Sequence, residues 1–165
     1  MINKTFPITE KLLKNALNLS IELLDILTNE AENLKSRPDA NTISKLAANK
    51  REVVSQLDQF SKQLSQVLST EQLQMTVDGV SEYFKKAESA TLNTFDSNNL
   101  WKEILSITKQ CSLLNEKNGA SINILAQHTH RSLQILKGKS QHTATTYGPD
   151  GSAYSERLSN SLISV

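Results

Sequence analysis

A chain of 165 residues is long enough for one domain with a hydrophobic core and too short for two of ordinary size. Its 18 Lys and Arg meet 17 Asp and Glu with both signs interspersed, so no basic field exists to hold a phosphate backbone, and nucleic acid is a poor partner. With five Gly, three Pro and one Cys, the composition favours long helices over many-turned β-structure and leaves no internal disulfide.

The first element is expected to begin near Pro7, since a proline suits the first turn of a helix, and to end before Pro38. Leu12, Ala16, Leu19, Leu23 and Ile26 form one seam, and Leu13, Leu17, Leu24, Leu27, Ala31 and Leu34 a second. So broad an apolar face predicts contact with more than one neighbour. Lys14, Asn15, Asn18, Glu22 and Asp25 interrupt this leucine-rich stretch, which argues against a signal peptide or a membrane span. A cytoplasmic protein is the expectation.

From Thr42 to Leu68 the positions Ile43, Leu46, Lys50, Val53, Leu57, Phe60, Leu64 and Val67 alternate three and four apart. This is a coiled-coil-like seam with one charged position, Lys50. The short Pro38–Asn41 link predicts an antiparallel hairpin with the first helix. Ser69 with Gln72 reads as a capping box opening a helix over Glu71 to Thr91, carried by Leu73, Val77, Val80, Phe84 and Ala87. Gly79 inside it costs about 1 kcal/mol relative to alanine. Asn93 to Asn99 reads as a loop, with Ser97 or Asn98 capping the next helix.

Leu100, Ile104, Ile107, Cys111, Leu114, Ile122, Leu125, Leu133 and Leu136 keep the period of a straight helix from Leu100 to Lys137, roughly 55 Å. Asn118 falls on that seam with Gly119 behind it. A hairpin there fails because the flanks have helical rather than alternating periodicity. Two readings remain, a left-handed cap at Gly119 and a continuous helix. Beyond Gly138 the chain turns to Ser and Thr, which reads as a flexible tail carrying one turn, Tyr147-Gly148-Pro149-Asp150-Gly151.

Nothing in this pattern points to catalysis. His128 and His130 lie two apart, which on a helix puts the rings on nearly opposite faces, so they cannot share a metal ion. A phosphotransfer helix would need a Lys-Gly pair close behind its histidine, and Lys137-Gly138 come too late. No Gly-rich phosphate loop occurs, and Glu30, Glu32, Glu82 and Glu88 read as solvated helix charges. Trp101 and Phe84 read as core anchors, and Cys111 as a small buried side chain.

Three motifs carry a family resemblance: Asn118-Gly119-Ala120-Ser121-Ile122, Leu133-Gln134-Ile135-Leu136-Lys137-Gly138 and the Tyr147 turn. In order and at this spacing they resemble the FlgN family of flagellar export chaperones, with a weaker echo from Leu46-Ala47-Ala48-Asn49-Lys50 to Leu57-Asp58. Ser121 and Thr146 depart from the family pattern, and Thr70 to Asn99 is longer than the family needs.

The resemblance favours a continuous last helix, with Gly119 letting another chain approach. It implies a cytosolic chaperone that binds the terminal helices of hook-filament junction proteins, blocks premature assembly and delivers them to the export gate. Carried onto matching positions, client binding falls to Asn118, Gly119, Ile122, Leu125, Leu133 and Leu136, and docking to the gate's cytoplasmic domain to Tyr147, Gly148 and Gly151. No cofactor is implied, and the free protein is expected to be a monomer. The expected fold is all-α: an elongated antiparallel bundle of three to four helices over residues 1–138, then a flexible tail over 139–165. The alternative from the residues alone is a structural coiled-coil adaptor that self-associates through the Ile43 to Val67 seam.

Overall fold

The computed structural model describes residues 1–36 and 38–137, and the backbone of 145–147 and 153–155. Four helices make it all-α: α1 (Ile2–Ser36), α2 (Ala40–Thr70), α3 (Val77–Ser89) and α4 (Phe95–Leu136). Two short strands, β1 (Thr145–Tyr147) and β2 (Ala153–Ser155), follow. Two compact units, Met1–Ile122 and Asn123–Val165, divide inside α4.

Within the first unit, contacts set the helix directions. Leu12 and Val67 join one core cluster, while Glu30 meets Lys50, so α1 and α2 are antiparallel. Cys111 lies against Ser20 and Asn118 against Leu27, so this part of α4 runs with α1. The first helix starts a turn earlier than expected. Lys4 N–H bonds the Met1 carbonyl at 2.9 Å, the Thr5 hydroxyl donates to the Ile2 carbonyl, and Phe6 is buried with Ile2 packed near it. Packing of Phe6 and Ile2 extends the helix past Pro7, whose missing N–H removes one bond of the first turns. The helix ends at Ser36, before Pro38 as expected, and Asp39 caps α2 by accepting from Thr42 N–H at 2.9 Å.

The core forms three clusters. The largest gathers Phe6, Leu13, Ala16, Phe60, Leu64, Leu68, Val80, Tyr83, Phe84, Ala87, Trp101 and Ile104 from all four helices. Leu19, Ile26 and Val53 join α1 to α2, and Leu27, Ile107 and Cys111 join α1 to α4. The two seams on α1 thus serve two neighbours. Trp101 and Phe84 are core residues.

The connection between α2 and α3 differs from the expectation. Ser69 and Gln72 form no capping box, because α2 runs through Ser69 and ends in a Schellman motif: Leu73 N–H bonds Leu68 C=O at 2.8 Å and Gln72 N–H bonds Ser69 C=O at 3.0 Å. Gln72 sits at φ 61, left-handed without being glycine. Helix α3 begins only at Val77, capped by Thr76, whose hydroxyl accepts from Gly79 N–H at 2.9 Å. A Cβ on Gly79 would lie 2.1 Å from the Gln74 carbonyl oxygen, so glycine is required by the returning loop rather than tolerated. A second Schellman motif ends α3, with Thr91 at φ 62 and Leu92 N–H on Ala87 C=O at 3.1 Å.

Helix α4 also starts earlier than expected, at Phe95. Asn93 Oδ1 accepts from Phe95 N–H, the Thr94 hydroxyl donates to Glu88, and Ser97 is buried in the first turn rather than capping it. The helix continues without a break through Asn118 and Gly119 to Leu136. In the second unit β1 and β2 pair antiparallel, with Tyr147 opposite Ala153. Most of the expected flexible tail lies outside the described residues.

Candidate functional site: the polar node and the exposed end of α4

The charged position of the α2 seam and the polar position of the α4 seam meet on the same partner. Lys50 Nζ donates to Glu30 Oε1 at 2.9 Å and Oε2 at 3.0 Å. Asn118 Nδ2 donates to Glu30 Oε2 and to the Leu27 carbonyl, both at 2.9 Å. Asn115 Oδ1 lies 3.4 Å from the ammonium. Glu30 is 1% exposed and Asn118 3%. A buried carboxylate is tolerable only when its charge is matched and its lone pairs are occupied, and this node supplies both.

One expectation is corrected here. Glu30 is not a solvated helix charge, because α2 and α4 close over it. The Asn118 side chain is buried, held between α1 and α4. Nearby, Cys111 is buried against the Ser20 carbonyl, and burial pushes its thiol pKa up. It is a protonated packing group.

Past the node α4 loses its cover. Ile122 is half-buried, and the apolar side chains beyond it are open: Leu125 38% exposed, Leu133 47% and Leu136 82%. At about 100° per residue these four lie on one face of the helix, the face that carries Cys111 and Asn118 one to three turns earlier. Gly119 is exposed, and a Cβ built there meets no atom within 4 Å. The close approach expected at Gly119 is therefore open to another molecule.

A second exposed pair was not read from the sequence: Ile124, 58% exposed, and Ile135, 70%. They are eleven residues apart, about three turns, and lie on the side of α4 away from Leu125 and Leu133. Only the eleven-residue spacing could have signalled them, and two positions do not make a pattern.

Tyr147 closes β1 opposite Ala153, while Gly148 and Gly151 lie outside the described residues. His128 and His130 are both exposed, with His130 Nε2 2.8 Å from Gln134 Nε2. Among the described residues no group of three His, Cys, Asp or Glu side chains could hold a metal ion, and no helix is long and apolar enough to cross a membrane.

The family model for FlgN protein matches residues 1–155. The chain belongs to the FlgN family. FlgN proteins are a family of flagellar export chaperones. No curated protein and no solved structure matches the chain. The match extends the resemblance from three motifs to nearly the whole length. The structure separates the residues carried over from the FlgN pattern by environment: Asn118 and Lys50 are partners of Glu30, whereas Gly119, Leu125, Leu133 and Leu136 are open.

Proposed function

We propose that this FlgN protein binds the terminal helices of hook-filament junction proteins in the cytoplasm, keeps them from assembling and presents them to the export gate. The observation that carries the reading is the run of exposed apolar side chains on α4 after Ile122, beyond the last buried residue of that helix, Asn118. A partner helix laid along such a face would be recognised through apolar anchors one turn apart. Gly119, Ile122, Leu125, Leu133 and Leu136 would supply the face.

The mechanism is mass action. By binding the assembly-competent helices the chaperone lowers their free concentration, and free chaperone at about 100 times the dissociation constant stabilises the bound client by roughly 2.7 kcal/mol. Release at the gate needs only a competing site, so the chaperone requires no nucleotide chemistry. The segment Tyr147-Gly148-Pro149-Asp150-Gly151 is the proposed docking element for the gate's cytoplasmic domain.

The adaptor reading requires the Ile43 to Val67 seam to be free for self-association. Val53, Phe60 and Leu64 are instead buried in the chain's own bundle. Sedimentation of the purified protein with and without a junction protein tests the choice. The chaperone reading expects a monomer that forms a one-to-one soluble complex; a homodimer indifferent to junction proteins refutes it.

A further inference from the structure

The charges on the exposed end of α4 are as uneven as its apolar residues. Between Glu116 and Asp150 the sequence contains no Asp or Glu, while Lys117, Arg131, Lys137 and Lys139 are cationic. Before Lys117 the balance is the other way, with carboxylates in slight excess over Lys and Arg. The near-neutral total therefore conceals an acidic bundle joined to a cationic helix end.

The cations accompany the two apolar faces. On the helical wheel Lys137 stands beside the face of Leu125, Leu133 and Leu136, and Arg131 beside that of Ile124 and Ile135. Both cations are exposed, and among the described residues neither has a carboxylate within ion-pair distance. An unpaired cation at the rim of an apolar strip contributes little to the fold. It selects the charge of whatever covers the strip and raises the rate of encounter.

We infer that the exposed end of α4 is complementary to an acidic amphipathic helix, one with an apolar stripe flanked by Asp or Glu. The inference rests on the chaperone reading and narrows its client to helices of that charge. A helix is favoured over an anionic bilayer by composition. The stretch from Asn123 to Leu136 has no Trp or Phe and only one Arg, with a polar face of Asn, Gln, Thr, Ser and His, whereas bilayer-surface helices are rich in Lys and Arg opposite aromatic and leucine anchors.

The test uses the full chain and two synthetic amphipathic helices sharing one leucine stripe, one flanked by Glu and the other by Lys. Fluorescence anisotropy at low salt is expected to show the Glu peptide binding about tenfold more tightly, with the margin shrinking as salt rises. Arg131→Glu with Lys137→Glu, both at exposed positions, should reverse the preference with circular dichroism unchanged. Equal binding of the two peptides, failure of the Glu peptide to bind, or a preference that survives the double reversal would each overturn the inference. So would phosphatidylglycerol-dependent binding to vesicles without a peptide preference, or occupation of the face by a second copy in sedimentation. If junction-protein helices bind while the Glu peptide does not, the charge inference fails and the chaperone reading stands; the converse result sinks the client assignment and keeps the site chemistry.

Discussion

Lys50→Met removes the ammonium from the node and keeps most of the side chain's length. Glu30 would then be 1% exposed with Asn118 Nδ2 as its remaining side-chain donor, at 2.9 Å. Removing one partner of a buried ion pair costs about 3–5 kcal/mol. The Lys50 side chain is 23% exposed, so water can reach the vacated position, and the lower end, about 3 kcal/mol, applies. For a chain of this size that is a fall of about 6–12 °C in Tm.

Glu30→Met alone leaves a lysine that can turn to solvent, and should cost about 1 kcal/mol. The double variant restores charge balance, with Asn118 still donating to the Leu27 carbonyl, and should lie within about 1 kcal/mol of the native protein. The cycle therefore carries a coupling of at least about 3 kcal/mol, readable in urea titrations followed by circular dichroism. Additive single effects, or a Lys50→Met variant within 0.5 kcal/mol of native, about the size of an ordinary surface change, would refute the node as a buried charge site.

Gly79→Ala should destabilise by about 1–3 kcal/mol in the same titration, because the added methyl meets a backbone carbonyl that cannot turn away. Thr91→Gly should stabilise by up to about 1 kcal/mol, since it relieves a left-handed β-branched residue at an exposed Schellman position. Burial raises the Cys111 pKa above its unfolded value, so its contribution is complete below the ordinary thiol range and is lost as pH climbs through the raised value; Cys111→Ala should flatten that alkaline decline in urea stability. Tyr147→Ala should leave helicity and client affinity intact and weaken binding of the chaperone-client complex to the gate's cytoplasmic domain in a pull-down, and loss of client affinity instead would place the ring in the client site.

The bundle was legible because its helices are long and their apolar spacing regular. The α2 seam from Ile43 to Val67 faces inward along its whole length, and Lys50 as its one charged member already marked a place where a partner was needed. What the sequence did not disclose was the partner. Glu30 stands among Glu22, Asp25 and Glu32 on α1, and only the convergence of three helices singles it out.

The helix ends carry weaker signals for a definite reason. Gln72 and Thr91 occupy left-handed positions where Gly or Asn is the usual signal, so neither C-terminus announced itself. In the candidate site, periodicity identified the face of Ile122, Leu125, Leu133 and Leu136, but it could not show where along α4 burial stops. Asn118 and Leu125 share a face, and one is 3% exposed and the other 38%.

Amide hydrogen exchange of the protein alone and in complex with a junction protein tests that division most directly. The account predicts new protection concentrated in Asn123 to Leu136, with amides around Glu30 and Lys50 already protected and little changed. Protection appearing on α1 or α2 while Asn123 to Leu136 exchanges as before would contradict it.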